Sequence, residues 1–256
     1  MLTIIACIKF VRSELLLRNQ QMPNTYILNP YDLYMLEQLL LLKKASSCRI
    51  IGVTMGPQGC LESTQRYIAM GLDDIYLVSD PCFAGSDTYS TSYILYKALE
   101  YIGKADIYAF GEKSIDGETS QVPIGVSSHL DLLCYTGIEK IENCSDKFAK
   151  INRLFVDKIE VIELPYPFTI CFHGFTTREP AISLLQLKKA RGQMPIILNS
   201  DSLQIDKMYC GQNGSKTIVT QTSNIVDKRN AEVIEGSYQN KADILNDVLS
   251  KRGIYT

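Results

Sequence analysis

The chain has no tryptophan and only two histidines, His129 and His173. Its eight cysteines stand at 7, 48, 60, 82, 134, 144, 171 and 210, with no CxxC pair among them. With this spacing and so little imidazole, a zinc or iron–sulfur centre is not supported, and no metal is expected. The thiols read instead as reduced, mostly buried small hydrophobes. No apolar run approaches the roughly 20 residues that cross a bilayer. The opening MLTIIACIKFV lacks a basic region and a small-residue cleavage site, so it reads as a strand and the protein as cytoplasmic. Net charge is only −2, which offers nothing to a nucleic-acid backbone or an anionic membrane. GxGxxG, GxxxxGK[ST] and GxSxG are all missing. The usual dinucleotide, P-loop and serine-hydrolase readings therefore have no support.

What is present is a regular alternation. Within 256 residues, 46% hydrophobic and 21% charged, LTIIACI is a β-branched apolar run of strand length. Pro30 then opens a helical pattern with Leu33, Leu36, Leu39 or Leu40 and Lys43 on one side and Asn29 at the N-cap position. CRIIGVTM is a strand, CLESTQRYIAMG a helix closed by Gly71, DIYLVS a strand, and SDTYSTSYILYKALEYIG a helix capped by Ser86 or Asp87. DIYAF is a further strand, and SQVPIGVSSHL a short helix interrupted at its start by Pro123. This order predicts an α/β fold, a mainly parallel doubly wound sheet covered on both faces. Beyond residue 132 the runs LCYTGIEKIENC, KFAKINRLFVDKIEVIEL and FTICFH predict a small antiparallel extension. Residues 1–198 are expected to form the nucleotide-binding domain. Residues 199–256, too polar for a core of their own, are expected to form an arm that packs on another surface.

In such sheets ligands bind beyond the carboxyl ends of the strands. GEKSIDGETSQVP (111–123) occupies that position after DIYAF, with two glycines, hydroxyls and a helix start behind it. Backbone N–H groups there suit phosphate, and the carboxylates Asp116 and Glu118 suit a ribose or a cap better than acid–base work. An adenine nucleotide and an ordinary strand-to-helix loop both remain open on residue types alone. Asp87 and Thr88 carry the same two readings, cap or phosphate contact. REPAISLLQLKKARG (178–192) reads either as a surface helix with its apolar side inward or as a docking loop offering Leu184 or Leu185 to another protein.

The stretches LNPYDLYMLEQLLLLKK, TMGPQGCLESTQRYIAMGLDDIYLVSD, FAGSDTYSTSYIL, GEKSIDGETSQVP and LPYPFTIC…REP…LKKAR occur in an order that resembles the β subunit of electron-transfer flavoprotein, including its bifurcating and FixA-like members. The resemblance covers residues 2 to about 198. It implies an adenine-nucleotide α-hydrolase-like fold and a heterodimer with an α subunit that carries its own FAD. It also implies electron exchange with acyl-CoA-type dehydrogenases and, in bifurcating members, with NADH. Carried over by motif, the nucleotide contacts are Cys7, Asn29, Pro30, Tyr31, Asp32, Met55 and the run Gly111, Glu112, Lys113, Ser114, Ile115, Asp116, Gly117, Glu118, Thr119, Ser120, Gln121 and Val122. Leu184 corresponds to the leucine that anchors a dehydrogenase, with Leu185 beside it. The DGET sequence favours FAD over AMP in this chain. No catalytic side chain is expected, because a flavin carries its own redox chemistry. A stand-alone ATP- or AMP-binding regulatory protein of the universal-stress type is the alternative.

Overall fold

The computed structural model describes residues 1–13, 26–221 and 233–254. They fall into two units, Met1–Ile218 and Val219–Thr256.

The first unit is built on β1 (Leu2–Cys7), β4 (Cys48–Met55), β5 (Asp74–Val78) and β6 (Ile107–Gly111). Between them run α1 (Pro30–Ala45), α2 (Leu61–Met70) and α3 (Thr88–Ile102). A short antiparallel pair, β2 (Phe10–Arg12) with β3 (Tyr26–Leu28), precedes α1. After α4 (Val122–Leu130) come β7 (Cys134–Cys144), β8 (Phe148–Phe155), β9 (Lys158–Pro165) and β10 (Phe168–Phe172). Then follow α5 (Leu184–Ala190), β11 (Ile196–Leu198) and α6 (Gly211–Gly214). The nine-stranded sheet has the order β11-β5-β4-β1-β6-β10-β7-β8-β9. It is parallel from β11 through β7, and β8 and β9 add the antiparallel extension.

Alternate residues of β1 serve two cores, as the period of a strand buried on both faces requires. Ile4 and Ala6 pack with Leu33, Leu36 and Leu39 of α1 and Tyr67 and Ile68 of α2. Ile5 and Cys7 pack with Ile94, Leu95, Ala98 and Leu99 of α3 and Val126 of α4. Gly71 ends α2 with φ 133°, the glycine stop read in the sequence.

Three local expectations are corrected. β10 is parallel to both β6 and β7, not antiparallel. Every residue of FTICF is buried, as befits a strand inside the sheet rather than at a one-sided edge. Pro123 does not interrupt α4, because it lies in the first turn, where its missing N–H would have had no helical partner anyway. The first compact unit also runs on to Ile218. Leu203, Ile205 and Cys210 join the core on the α3 side, and Ser200 Oγ donates to Asp80 Oδ2 at 2.7 Å.

The second unit, described by itself, contains α7 (Tyr238–Lys251). Ser237 caps it by accepting from the Asn240 N–H at 3.3 Å. Ile244, Leu245 and Val248 form an exposed apolar stripe at helical spacing. Residues 222–232 and 255–256 of the expected arm lie outside the described residues.

Candidate nucleotide-binding site

The strand order reverses between β1 and β6, and their carboxyl ends are stapled together by Asp32. Its Oδ2 accepts the Lys9 N–H at 2.8 Å and its Oδ1 accepts the Gly111 N–H at 3.2 Å. The side chain is buried among these partners, and burial pushes its carboxyl up to about 7, against the pull of the Asn29, Lys9 and Gly111 contacts. Gly111 is a glycine for a steric reason: a Cβ there would collide with Asp32 Oδ1 and the backbone of Tyr31 and Asp32. Asp32, read in the sequence as a nucleotide contact, therefore spends both oxygens on the scaffold.

Asn29 stands before α1 but makes no side-chain cap. Its Nδ2 instead donates to the Lys113 carbonyl at 2.8 Å and its Oδ1 accepts from the Ile115 N–H at 3.2 Å. Both ends of the amide thus hold the loop after β6. Lys9 holds the loop's tip, with Nζ 2.7 Å from Asp116 Oδ2 and 3.5 Å from Ser114 Oγ. Burial opposes ionisation of Asp116, but the hydrogen bonds from Lys9 and Ser114 and the Lys9 charge outweigh it and keep the carboxyl below its usual range. Lys113 Nζ lies over the Tyr31 ring, 5.6 Å from its centroid, and within 4.0 Å of Glu118. Tyr31 packs edge-on against Phe175, and the Pro30 carbonyl accepts from the Thr176 N–H at 3.3 Å. Glu112 pairs with His173 Nδ1 at 2.9 Å. Thr88 Oγ1 donates to Thr119 Oγ1 at 3.2 Å, which links the loop to the start of α3.

Glu118 and Ser120 adopt left-handed φ of 51° and 55°. Each costs roughly 1 kcal/mol for a residue with a Cβ, and such strain concentrates where backbone must be presented to a ligand. Gln121 follows in the right-handed region, φ −101° and ψ −21°. This left–right succession turns successive N–H groups toward one concavity, the backbone arrangement that receives anions. Among the described residues the N–H groups of Gly117, Thr119 and Ser120 have no protein partner. The loop leads into the nine-residue α4, whose first-turn N–H groups add to the same positive end. These residues fit a phosphate-bearing group.

The sheet gathers the other sequence candidates along the same edge. Cys7 ends β1 opposite Val53 and Phe110, its thiol buried in the α3-side core and pushed up by that burial. Met55 ends β4 beside Val78. The Asp87 carboxylate is fully engaged: it caps α3 through the Ser90 N–H at 3.0 Å and accepts the Lys216 and Thr217 N–H groups at 2.7 and 2.8 Å. Leu184 and Leu185 lie elsewhere, 85% and 63% exposed on α5, whose start is fixed by the Ser183–Gln186 capping box. Sequence reading missed Lys9 and His173 as loop partners. A lysine directly after an apolar strand at the sheet's carboxyl edge was the available signal for the first.

With the geometry in place, the comparisons with known proteins decide the family. The model of the electron transfer flavoprotein domain matches residues 22–171. The chain is 31% identical over 230 residues to the electron transfer flavoprotein subunit beta of Thermoanaerobacterium thermosaccharolyticum, covering 89% of this chain and 87% of the relative. The chain belongs to the electron transfer flavoprotein β-subunit family. It is also 31% identical to the CarD subunit of the caffeyl-CoA reductase–Etf complex of Acetobacterium woodii, over 88% of this chain and 85% of that one. It is 37% identical to protein FixA of Sinorhizobium fredii, over 84% and 81%. Membership assigns an electron-transfer role, and the family's name carries a flavin with it. No helix of the described residues is long and apolar enough to cross a membrane, and no cluster among them could hold a metal.

Proposed function

We propose that this chain is the β subunit of a heterodimeric electron-transfer flavoprotein and holds an adenine nucleotide, FAD in preference to AMP, against the loop 111–122. The observation that carries the reading is that loop: two left-handed residues and unpartnered N–H groups, kept in place by Asn29 and Lys9. In this reading the N–H groups of Gly117, Thr119 and Ser120 and the α4 N-terminus bind phosphate oxygens. Asn29 and Lys9 orient the loop, and the Asp32 staple keeps β1 and β6 at fixed separation beneath it. Bound there, FAD would supply hydride acceptance from NADH and one-electron delivery to an acceptor. The caffeyl-CoA reductase and acryloyl-CoA reductase electron-transfer subunits among the relatives support acyl-CoA-type dehydrogenases as exchange partners.

Gly117 tests the site without disturbing the fold. A Cβ there meets only Ser114 Oγ at 3.5 Å, ordinary contact, so the fold itself leaves room for a side chain. Gly117→Ala should melt within about 1 °C of the parent in the absence of nucleotide. It should bind the nucleotide at least about tenfold more weakly, since a methyl group blocks close approach of backbone to phosphate. Equal binding by both proteins would remove the loop from the site.

Two surfaces serve partners in this reading. The α7 stripe of Ile244, Leu245 and Val248 is assigned to the α subunit that carries the second FAD. Leu184, with Leu185 beside it and Lys188 and Lys189 following, is assigned to the dehydrogenase. An exposed leucine contributes little to stability, so Leu184→Glu should leave the melting temperature unchanged. It should slow electron exchange with the dehydrogenase by about tenfold or more, the loss expected of a central apolar anchor. Stopped-flow reduction of the heterodimer by its dehydrogenase would read this directly.

A further inference from the structure

Among the eight free cysteines, two meet each other. Cys82 and Cys210, 128 positions apart in sequence, bring their Sγ atoms to 3.7 Å. The backbone around them is fixed on both sides of the contact. Ser90 Oγ donates to the Tyr209 carbonyl at 3.2 Å, and the Gly211 N–H donates to Ser86 Oγ at 3.1 Å. Gly211 itself approaches so closely that a Cβ on it would strike the Cys82 carbonyl oxygen. The thiols are therefore held face to face by the packing of residues 209–215 against the turn before α3. Cys82 is half-buried and reachable from solvent, whereas Cys210 is 2% exposed.

We propose that Cys82 and Cys210 form a thiol–disulfide modification site whose reactant is a low-molecular-weight disulfide. The Cys82 thiolate attacks one sulfur of the small disulfide, forming a mixed disulfide and releasing one small thiol. Cys210, as its thiolate, then displaces the second small thiol and closes the protein bond. Two protein S–H bonds and one small S–S bond are consumed, and one protein S–S bond and two small thiols result. The sulfurs must close from 3.7 Å to about 2 Å for the bond to form. Burial, with Asp80 next, holds the Cys82 thiol up at about 12, so little thiolate is present and the exchange is slow. Once formed, the bond ties the segment that follows β11 to the turn that leads into α3. The start of α3 carries Asp87, which clamps residues 216 and 217, and Thr88, which touches the nucleotide loop.

The test is to incubate the full chain, in its complex with an α subunit, with oxidised glutathione, then block free thiols and map non-reduced peptides by mass spectrometry. The expected result is one cross-linked peptide pair joining Cys82 to Cys210, with the other six cysteines alkylated. Cys210→Ala should instead trap Cys82 as a stable glutathione adduct, and the wild-type bond should reverse with dithiothreitol. The oxidised protein should melt about 5 °C above the reduced one, because the bond closes a long loop in the unfolded chain. Cross-links among other cysteines in the native complex would overturn the proposal. So would full alkylation of both thiols, or a glutathione adduct on Cys82 that Cys210 never resolves. Should Cys210→Ala fail to accumulate, Cys82→Ser serves in its place, and the same cross-link must then be absent.

Discussion

Gly111→Ala is expected to be strongly destabilising and to reach the nucleotide loop at the same time. The new Cβ would occupy space already held by Asp32 Oδ1 and by the main chain of Tyr31 and Asp32. Backbone cannot rotate away as a flexible side chain can. Either β6 moves from β1, or the staple made by the Gly111 N–H and Asp32 breaks. Overpacking of this kind costs about 3 kcal/mol or more, a large share of the roughly 5–15 kcal/mol that holds a domain folded. The variant should melt roughly 10 °C lower or fail to accumulate. Because the same movement dismantles the base of the loop, nucleotide retention should fall with it. A Gly111→Ala protein that melts with the parent would mean that β1, β6 and Asp32 are not packed as described.

The second large effect is a pH dependence carried by Asp32. Its carboxyl is raised from 3.8 to about 7 in the folded chain. Between those values the folded protein holds a proton that the unfolded chain has released. Stability from this group is therefore full below about pH 4 and is lost as pH rises through 7, on the order of 4 kcal/mol in total. Asp87 and Asp116 are shifted the other way, downward, and lose their contributions only as pH falls into the acid range. In the window from pH 4.5 to 8 Asp32 dominates, with a smaller contribution of the same sign from Glu37, whose carboxyl burial also raises. Asp32→Asn removes the titration but also replaces one acceptor by an NH2 group facing an N–H donor, at about 1–3 kcal/mol. Urea midpoints measured across that window should fall steeply with pH in the parent and only shallowly in Asp32→Asn, where Glu37 remains. The chain's 15 tyrosines provide the fluorescence signal, since it has no tryptophan. Parallel slopes for the two proteins would contradict the assignment.

Most of the fold was legible because each strand and helix carried its own period and its own stop. The α1 leucines and the Gly71 cap are local signals, and local signals survive in one dimension. β10 was misread because a strand's direction depends on its neighbours, and FTICF is apolar enough to suit either direction. Residues 199–218 looked like part of an arm because Leu203, Ile205 and Cys210 are scattered among polar residues. Those three supply the segment's apolar contacts with the core.

The loop 111–122 was legible from its glycines, hydroxyls and place after an apolar run. The groups that hold it were not. Asn29 read as a cap by position, yet its amide reaches 84 and 86 residues ahead to Lys113 and Ile115. Lys9 reaches 107 residues to Asp116. Contacts at such separations follow from strand order, which places the ends of β1 and β6 side by side, and residue types alone do not encode that adjacency.

The loop at the β1–β6 junction is proposed to hold an adenine nucleotide. The most direct measurement is to co-express the chain with an α subunit, release the nucleotides with acid, and count FAD and AMP per heterodimer. Two FAD and no AMP are expected, and reduction of the complex by NADH should accompany that count. One FAD with one AMP would keep the site and contradict its assignment to FAD, leaving a simple carrier. One FAD and no other adenine nucleotide would contradict the site itself.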